Sequence, residues 1–576
     1  MPFMERVQLA RALAEKAGRR LNEIADWRPL LDFTQGNPVT ITSLVGQALR
    51  DGLRTKHQIE DFVRKLRAGE AKIKDEESEG RTRSLAASLN YGFEHAFNEL
   101  ERKQLALLHL FQGFVDVVAL QVMGDPDEEC CLPEVRGLTR EAGIALLDRA
   151  AEVGLLTAHG SGYYSIHPAL PWFFKKLFDE YYGKSEGRAI RAYVDAMGEL
   201  GGYCAREYEG GRGQVTQTLE LEEANLLHAL SFARSRGWWR RLISTMQGLM
   251  VLYEHAGRLA EWASLVEEIV ADFVDPATDG PLPGREDVWG VVTGYRVGVA
   301  REARRWETAE RLQRMTVVWQ REHASAALAT PSEKLDDDQR NTIRTLAVSV
   351  HAVGQIQREL GQPECAGSYR ESYELALRVG DHHTAATAAY NLGRAYKDLS
   401  EIRDLAEAEQ WCQRSLELSP QVDRLARASC LNMLGSVAYG RFKDARDAGR
   451  PAVELDEHLQ LALDLCSQAL ELTPENAIND LAVAHGQLGN IYAAAGDLDE
   501  ALAHFRQSIR YEEAQGNLYG AANARYNVAA ALASRRRFPD AKEYALAALR
   551  NFQTYGEGAK DEVLQTLELI ALIDKA

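Results

Sequence analysis

Tyr390, Arg394 and Lys397 are spaced to share one face of a helix, and so are Asn432, Ser436 and Tyr439. Each set flanks a small residue, Gly393 or Gly435: one member three positions before it, one directly after it, one a turn later. Asn490 follows Gly489 in the same way, and Tyr526 precedes Ala529 by the same offset with Asn523 a turn earlier. His351 and Gln355 extend the row around Gly354. Amides, hydroxyls and two cations beside aromatic rings suit the N–H and C=O groups of a bound peptide, and Arg394 with Lys397 suits a carboxylate.

Groups that invite other chemistry fail on spacing. Gly183-Lys184-Ser185 has Phe178 where a phosphate-binding loop needs its first Gly. It also follows a helix expected over 172–182 rather than a strand, so it reads as a helix-ending turn. His382 and His383 are adjacent and stand about 100° apart on a helix, so they do not converge on a metal. The seven Cys include no C-x-x-C pair, and Cys130 and Cys131 are neighbours. That pattern reads as reduced thiols in a cytoplasmic protein. No nucleophile is followed by a local base that would orient it. Neither catalysis nor a metal or cofactor is expected.

The elements behind the polar row form a repeat. The small positions 354, 393, 435, 489 and 529 lie 39, 42, 54 and 40 residues apart. Each is followed by a second set of small residues, such as Ala408, then Ala462 and Ala469, then Ala501, then Ala541, Ala545 and Ala548. Small residues where two helices touch and bulky ones between them specify stacked helical hairpins, a solenoid. The 54-residue interval implies an insertion at 440–458, after Leu434-Gly435. Fainter copies are read at about 243–271 (Tyr253, Ala260, Leu265) and 288–322 (Val297, Gly298, Ala309), and 561–573 reads as a capping helix.

Upstream, a helix is expected over 99–111, then one after Thr139 with Ile144, Leu147 and Ala151 on its apolar face. Leu155–Ala158 and Tyr163–Ile166 flank His159-Gly-Ser-Gly162, a hairpin. Three helices and a hairpin give the order of a winged helix. Its last helix carries Arg140 and Arg149 against Glu141, Asp148 and Glu152, too acidic for a DNA reader. Residues 5–90 are helical around a break at 32–41, where Thr34 or Asn37 is placed to cap a helix opening near Pro38. Lys72–Arg81 is a charged linker.

Leu488-Gly489, Tyr492, Ala501 and Phe505, with Pro420 and Pro474 closing earlier units, resemble tetratricopeptide repeats of the longer-spaced variety found behind signalling ATPases. Gly36-Asn37-Pro38 looks like the Gly-x-Pro motif of the NB-ARC/STAND nucleotide switches, whose Pro touches the adenine. Ile166-His167-Pro168 resembles that family's Met-His-Asp, whose His contacts the β-phosphate of ADP; Pro168 replaces the Asp. Glu222-Glu-Ala-Asn-Leu-Leu-His-Ala-Leu resembles the helix that joins winged helix to repeats. The resemblance implies a nucleotide-sensor remnant at Gly36, Pro38 and His167. The family's P-loop is absent from this sequence, so the resemblance implies a truncated or split member lacking the ATPase core.

The 576 residues carry a net charge of −18. Residues 341–576 hold 24 basic and 33 acidic side chains, half of the excess, so charge does not segregate. An evenly acidic surface disfavours nucleic acid, which needs a basic stripe. No apolar run is long enough for a transmembrane helix. The expected fold is all-α: a helical NB-ARC-like remnant (1–92), a winged-helix domain with one small hairpin (93–182), a connecting helical segment (183–240) and a tetratricopeptide-type solenoid (241–576). The expected function is a non-enzymatic scaffold, the sensor and regulatory half of a STAND-type system. It would bind a protein or peptide in the repeat groove, with an ATPase or effector module in trans docking on residues 5–60 and around His167. The alternatives are a winged-helix DNA-binding regulator and an ATPase relative that keeps an ADP contact through His167.

Overall fold

A computed structural model of the chain describes residues 2–16, 21, 23–34, 36, 41, 44–46, 48–49, 51–67, 93, 96–127, 130–152, 155–166 and 170–576. They form two compact units, Met1–Val292 and Thr293–Ala576. The fold is all-α and of tetratricopeptide type, with one small sheet. No helix among the described residues is long and apolar enough to cross a membrane.

The first unit opens with helices Phe3–Lys16, Ile24–Phe33 and Lys56–Arg67 around Ala10, Trp27, Leu30, Leu31 and Ile59, all buried. The Thr34 Oγ1 donates to the Leu31 carbonyl at 2.7 Å and closes the helix before it. Pro38, with the rest of 37–40, and the linker 72–81 lie outside the described residues.

Next come Glu99–Ala106, started by a capping box between Asn98 and Glu101, and a 3-10 turn over Leu107–Leu110 that ends the helix earlier than the apolar pattern implies. The sheet has three strands rather than a lone hairpin. Strand β1 (Phe114–Asp116) pairs with β3 (Tyr163–Ile166), and β3 with β2 (Leu156–Gly160), in the order β1-β3-β2, all antiparallel. The turn between β2 and β3 is two residues, Ser161 (φ 52°) and Gly162 (φ 88°). Two successive positive φ values match the twist of a tight hairpin. Helix Arg140–Glu152 buries Gly143, Leu146, Leu147 and Ala150. Ile144 and Ala151 sit at the margin of that face, one position off the expected centre.

Long helices Glu186–Glu209, Val215–Arg236 and Trp239–His255 follow in the same unit. Backbones touch where a Cβ on Gly248 would lie 2.7 Å from the Gly201 Cα. Asp195, 2% exposed, is held between Arg191 and Arg241. In the following hairpin, Trp262 and Val266 face inward while Ala260 is exposed, so the faint repeat read there is out of register.

The second unit is a row of helical hairpins: Asp337–Glu359 with Cys365–Arg378, His382–Asp398 with Leu405–Leu418, Arg424–Asp447 with Ala452–Leu472, Ile478–Ala495 with Leu498–Ala514, and Leu518–Ser534 with Phe538–Gln553. Side-chain caps from Asp381, Asp404, Asp423, Asp497 and Asn517 start one helix after another. The small-residue frame sets the packing. A Cβ on Gly354 would lie 2.8 Å from the Tyr369 ring, one on Gly393 2.6 Å from Cys412 Sγ, and one on Gly489 2.6 Å from the Phe505 ring. Gly435 meets Cys466 in the same way. Upstream, Val297 and Ala300 face Ala309 and Leu312, whereas Gly298 is exposed and a Cβ there would meet nothing. The expected insertion at 440–458 is not a loop. Both helices of that hairpin are longer, and Phe442, Ala445 and Leu459 carry the buried stripe through the added turns. The last helix, Lys560–Lys575, buries only Thr566 and Ile573.

Candidate peptide-binding groove

Three consecutive first helices of the hairpins build one cavity of about 340 Å³. His382–Asp398 contributes Tyr390, Arg394, Lys397 and Asp398; Arg424–Asp447 contributes Ser429 and Asn432; Ile478–Ala495 contributes Asp480, Val483 and Gln487. The helices are held there by the glycine contacts described above and by interlocking hydroxyls behind them. Ser415 Oγ, fully buried, donates to the Ala386 carbonyl at 2.8 Å, and Ser372 Oγ does the same to Ala347.

The charges of the cavity balance. Lys397 contacts Asp398 Oδ1 and Arg394 Nε lies 3.6 Å from Asp398 Oδ2, so one carboxylate on the same helix holds both cations. Such half-exposed pairs are worth roughly 0–1 kcal/mol and yield readily to a better acceptor. Asp480 receives only the Ser429 hydroxyl, at 3.4 Å. Burial pushes the Tyr390 phenol up to about 12, so it stays a neutral donor. The Asn432 Oδ1 atom is shielded from solvent and has no hydrogen-bond partner. Two cations, two carboxylates, the amides of Asn432 and Gln487, the Ser429 hydroxyl and a phenol make this a dipolar surface able to pair with backbone and charged side chains of either sign.

Of the residues expected in the groove, Tyr390, Arg394, Lys397 and Asn432 come together here. The others do not line this cavity. His351 is 8% exposed, its Nε2 lies 3.3 Å from Asn391 Nδ2 and its ring 5.2 Å from that of Tyr369, so it packs between hairpins. Gln355, Ser436 and Asn490 are half-buried. Tyr439 stacks on Phe442 with Lys443 over its ring. Asn523 is exposed and donates to the Tyr519 carbonyl, and Tyr526 packs on the cluster of Ala522, Ala548 and Phe552. Gly36 has φ 77°, and Pro38 and His167 lie outside the described residues. Asp398, Asp480 and Gln487 were not anticipated. Asp480, Val483 and Gln487 follow a helical i, i+3, i+7 stripe that carries the signal, on the same helix as Asn490 but ahead of Gly489. No group of three or more His, Cys, Asp or Glu converges as a metal site among the described residues.

Residues 482–515, the hairpin that forms the far wall, match the sequence model of the tetratricopeptide repeat. The chain carries at least one tetratricopeptide repeat, at 482–515. Tetratricopeptide repeat protein 29 of Trypanosoma brucei brucei (strain 927/4 GUTat10.1) is 27% identical over 217 residues, 32% of this chain and 44% of that protein. The chain thus spans less than half the length of that curated relative. Among solved structures, a signal transduction ATPase with numerous domains (STAND) and a tetratricopeptide repeat sensor from Pyrococcus horikoshii aligns over 94% of this chain and 73% of its own, with 13% identity and a TM-score of 0.37. Rap protein complexed with competence and sporulation factor aligns over 66% and 98%, with 12% identity and a TM-score of 0.35. BtubC from P. vanneervenii aligns over 45% and 91%, with 20% identity and a TM-score of 0.32. At these scores the likenesses to solved structures carry no argument about the repeats' ligand.

Proposed function

We propose that the chain is a non-enzymatic interaction scaffold whose repeats hold a protein or peptide segment in the cavity between Tyr390, Asn432 and Asp480. The observation that carries the reading is the convergence of donors and acceptors from three successive helices on one concavity whose ion pairs are weak enough to exchange. The resemblance of residues 5–235 to the tail of STAND switches supports a regulatory setting, in which the segment around the three-stranded sheet couples ligand binding to an ATPase or effector module. A cytoplasmic location fits the buried thiols of Cys131, Cys204, Cys365, Cys412, Cys430 and Cys466, none of which is in a disulfide. Against DNA binding, both basic side chains of the Arg140–Glu152 helix are engaged internally: Arg140 donates to the Ser161 carbonyl and Arg149 pairs with Glu101.

The test uses a binder selected from a peptide display library against the full chain and titrated by calorimetry. Arg394→Glu together with Asn432→Ala weakens it at least about tenfold, ~1.4 kcal/mol, with the melting temperature unchanged. Unaltered affinity refutes the groove.

A further inference from the structure

The helix Val215–Arg236 is fastened to β1 by the Asn225 side chain. Asn225 Nδ2 donates to the Phe114 carbonyl at 2.9 Å and to Glu222 Oε2 at 2.6 Å. Its Oδ1 accepts from the Gln112 amide and from the Tyr193 hydroxyl. The carboxamide therefore pairs with β1 and the residue chain before it as a neighbouring strand would, and covers that edge. Asn225 has 0% exposure and its hydrogen-bonding capacity is filled.

Glu222, one turn earlier, is not so provided for. It is 1% exposed, receives a single donor, and its Oε1 has no partner. The groups around it are acidic or neutral. From the end of β1 comes Asp116, 8% exposed, whose own carboxyl is also raised by burial. From β3 comes Tyr163, hydrogen-bonded to Asp116 and to Thr218 of the Glu222 helix. From Glu186–Glu209 come Tyr193 and the Cys204 thiol, which burial pushes up to about 11. Arg140 acts on Asp116. Glu223, next in sequence, is held by Tyr253 and by Arg258, which it shares with Glu261.

We propose that Glu222 is a proton-operated latch: protonated, it lets Asn225 hold the Val215–Arg236 helix on the sheet edge, and ionised, it loosens that helix from β1. Burial, reinforced by the Asp116 charge, pushes its carboxyl up to about 7 from an ordinary 4.5. A carboxyl raised on docking favours the docked state fully below the ordinary value and progressively less as pH climbs to and past about 7. The docking constant then falls about thirtyfold between about pH 5.5 and about pH 8.5.

Hydrogen exchange of the full chain, corrected for the intrinsic rate at each pH, reads this directly. Protection of amides in Val215–Arg236 and at Phe114–Asp116 drops by that factor in the wild type and stays flat in Glu222→Gln. Asp116→Asn keeps Glu222 and the helix cap but removes a like charge, so its midpoint moves to lower pH. That variant tests the latch even if Glu222→Gln fails to fold. A flat wild type, an equal drop in a folded Glu222→Gln, or an unmoved midpoint in Asp116→Asn overturns the proposal.

Discussion

Gly489→Ala reverses its sign with the residue it faces. A Cβ at 489 would lie 2.6, 2.7 and 2.9 Å from three atoms of the Phe505 ring. The ring has 0% exposure and is walled by Ala501, Val528, Leu532 and Ala541, so it has nowhere to go. Relief of that overlap costs about 1–3 kcal/mol. Alanine in a helix interior returns about 0.8–1 kcal/mol relative to glycine. The net is a loss of up to about 2 kcal/mol. Phe505→Ala alone costs about 3–5 kcal/mol by emptying its site. In that background the overlap is gone, and Gly489→Ala gains most of its helix-propensity term. The same offset from Ala529 reaches Ala545, both fully buried, so the double variant copies a pairing this chain already uses. Repeat arrays need not unfold all at once. The readout is therefore hydrogen exchange within 478–514 in a double-mutant cycle, rather than one global midpoint. Equal destabilisation by Gly489→Ala in both backgrounds would refute the steric account of the frame.

Two further outcomes follow from buried ionisable groups. Burial holds the His351 imidazole down to about 4, from an ordinary 6.5. The fold thus favours the neutral ring, and stability is lost as pH falls below 6.5; at about pH 5 the loss is about 2 kcal/mol. In urea titrations at about pH 7 and about pH 5, His351→Phe, which keeps a ring beside Tyr369, shows a correspondingly smaller loss on acidification than the wild type. Asp195→Ala removes the buried carboxylate that Arg191 and Arg241 share and lowers the stability of the first unit by about 3 kcal/mol. Glu199 remains as a partner for Arg241, which sets this at the lower end. Thermal melting followed through Trp238, whose ring lies 4.8 Å under Arg191, reads the change.

The repeats were legible because close helix contact leaves no choice but a small residue, and Gly354, Gly393, Gly435 and Gly489 mark the hairpins one by one. The length of the third marked hairpin was not, because Gly440 and the charged run after it look like a break. In the fold, Gly440 lies beneath Leu405, where a Cβ would come within 3.2 Å of the Leu405 Cδ1, and Phe442 and Ala445 continue the helix. Strand β1 was invisible for another reason. Three residues inside an apolar run carry no period of their own, and Phe114–Asp116 becomes a strand only because β3 supplies the ladder. Half of the groove was readable from the offsets around Gly393 and Gly435. Asp480 and Gln487 were missed because the opposite wall belongs to the next hairpin's helix and lies ahead of its glycine.

The thiols at the helix contacts also give the solenoid a set of clocks. Cys365, Cys412, Cys430 and Cys466 sit in four different helices, all buried, and burial pushes Cys412 and Cys466 up to about 12. A thiol that is both shielded and protonated does not react with an alkylating reagent until its own hairpin opens. The labelling rate at each cysteine therefore times the opening of one hairpin, and a ligand bound across Tyr390, Asn432 and Asp480 slows the clocks at 412, 430 and 466 while leaving that at 365 closer to its free rate.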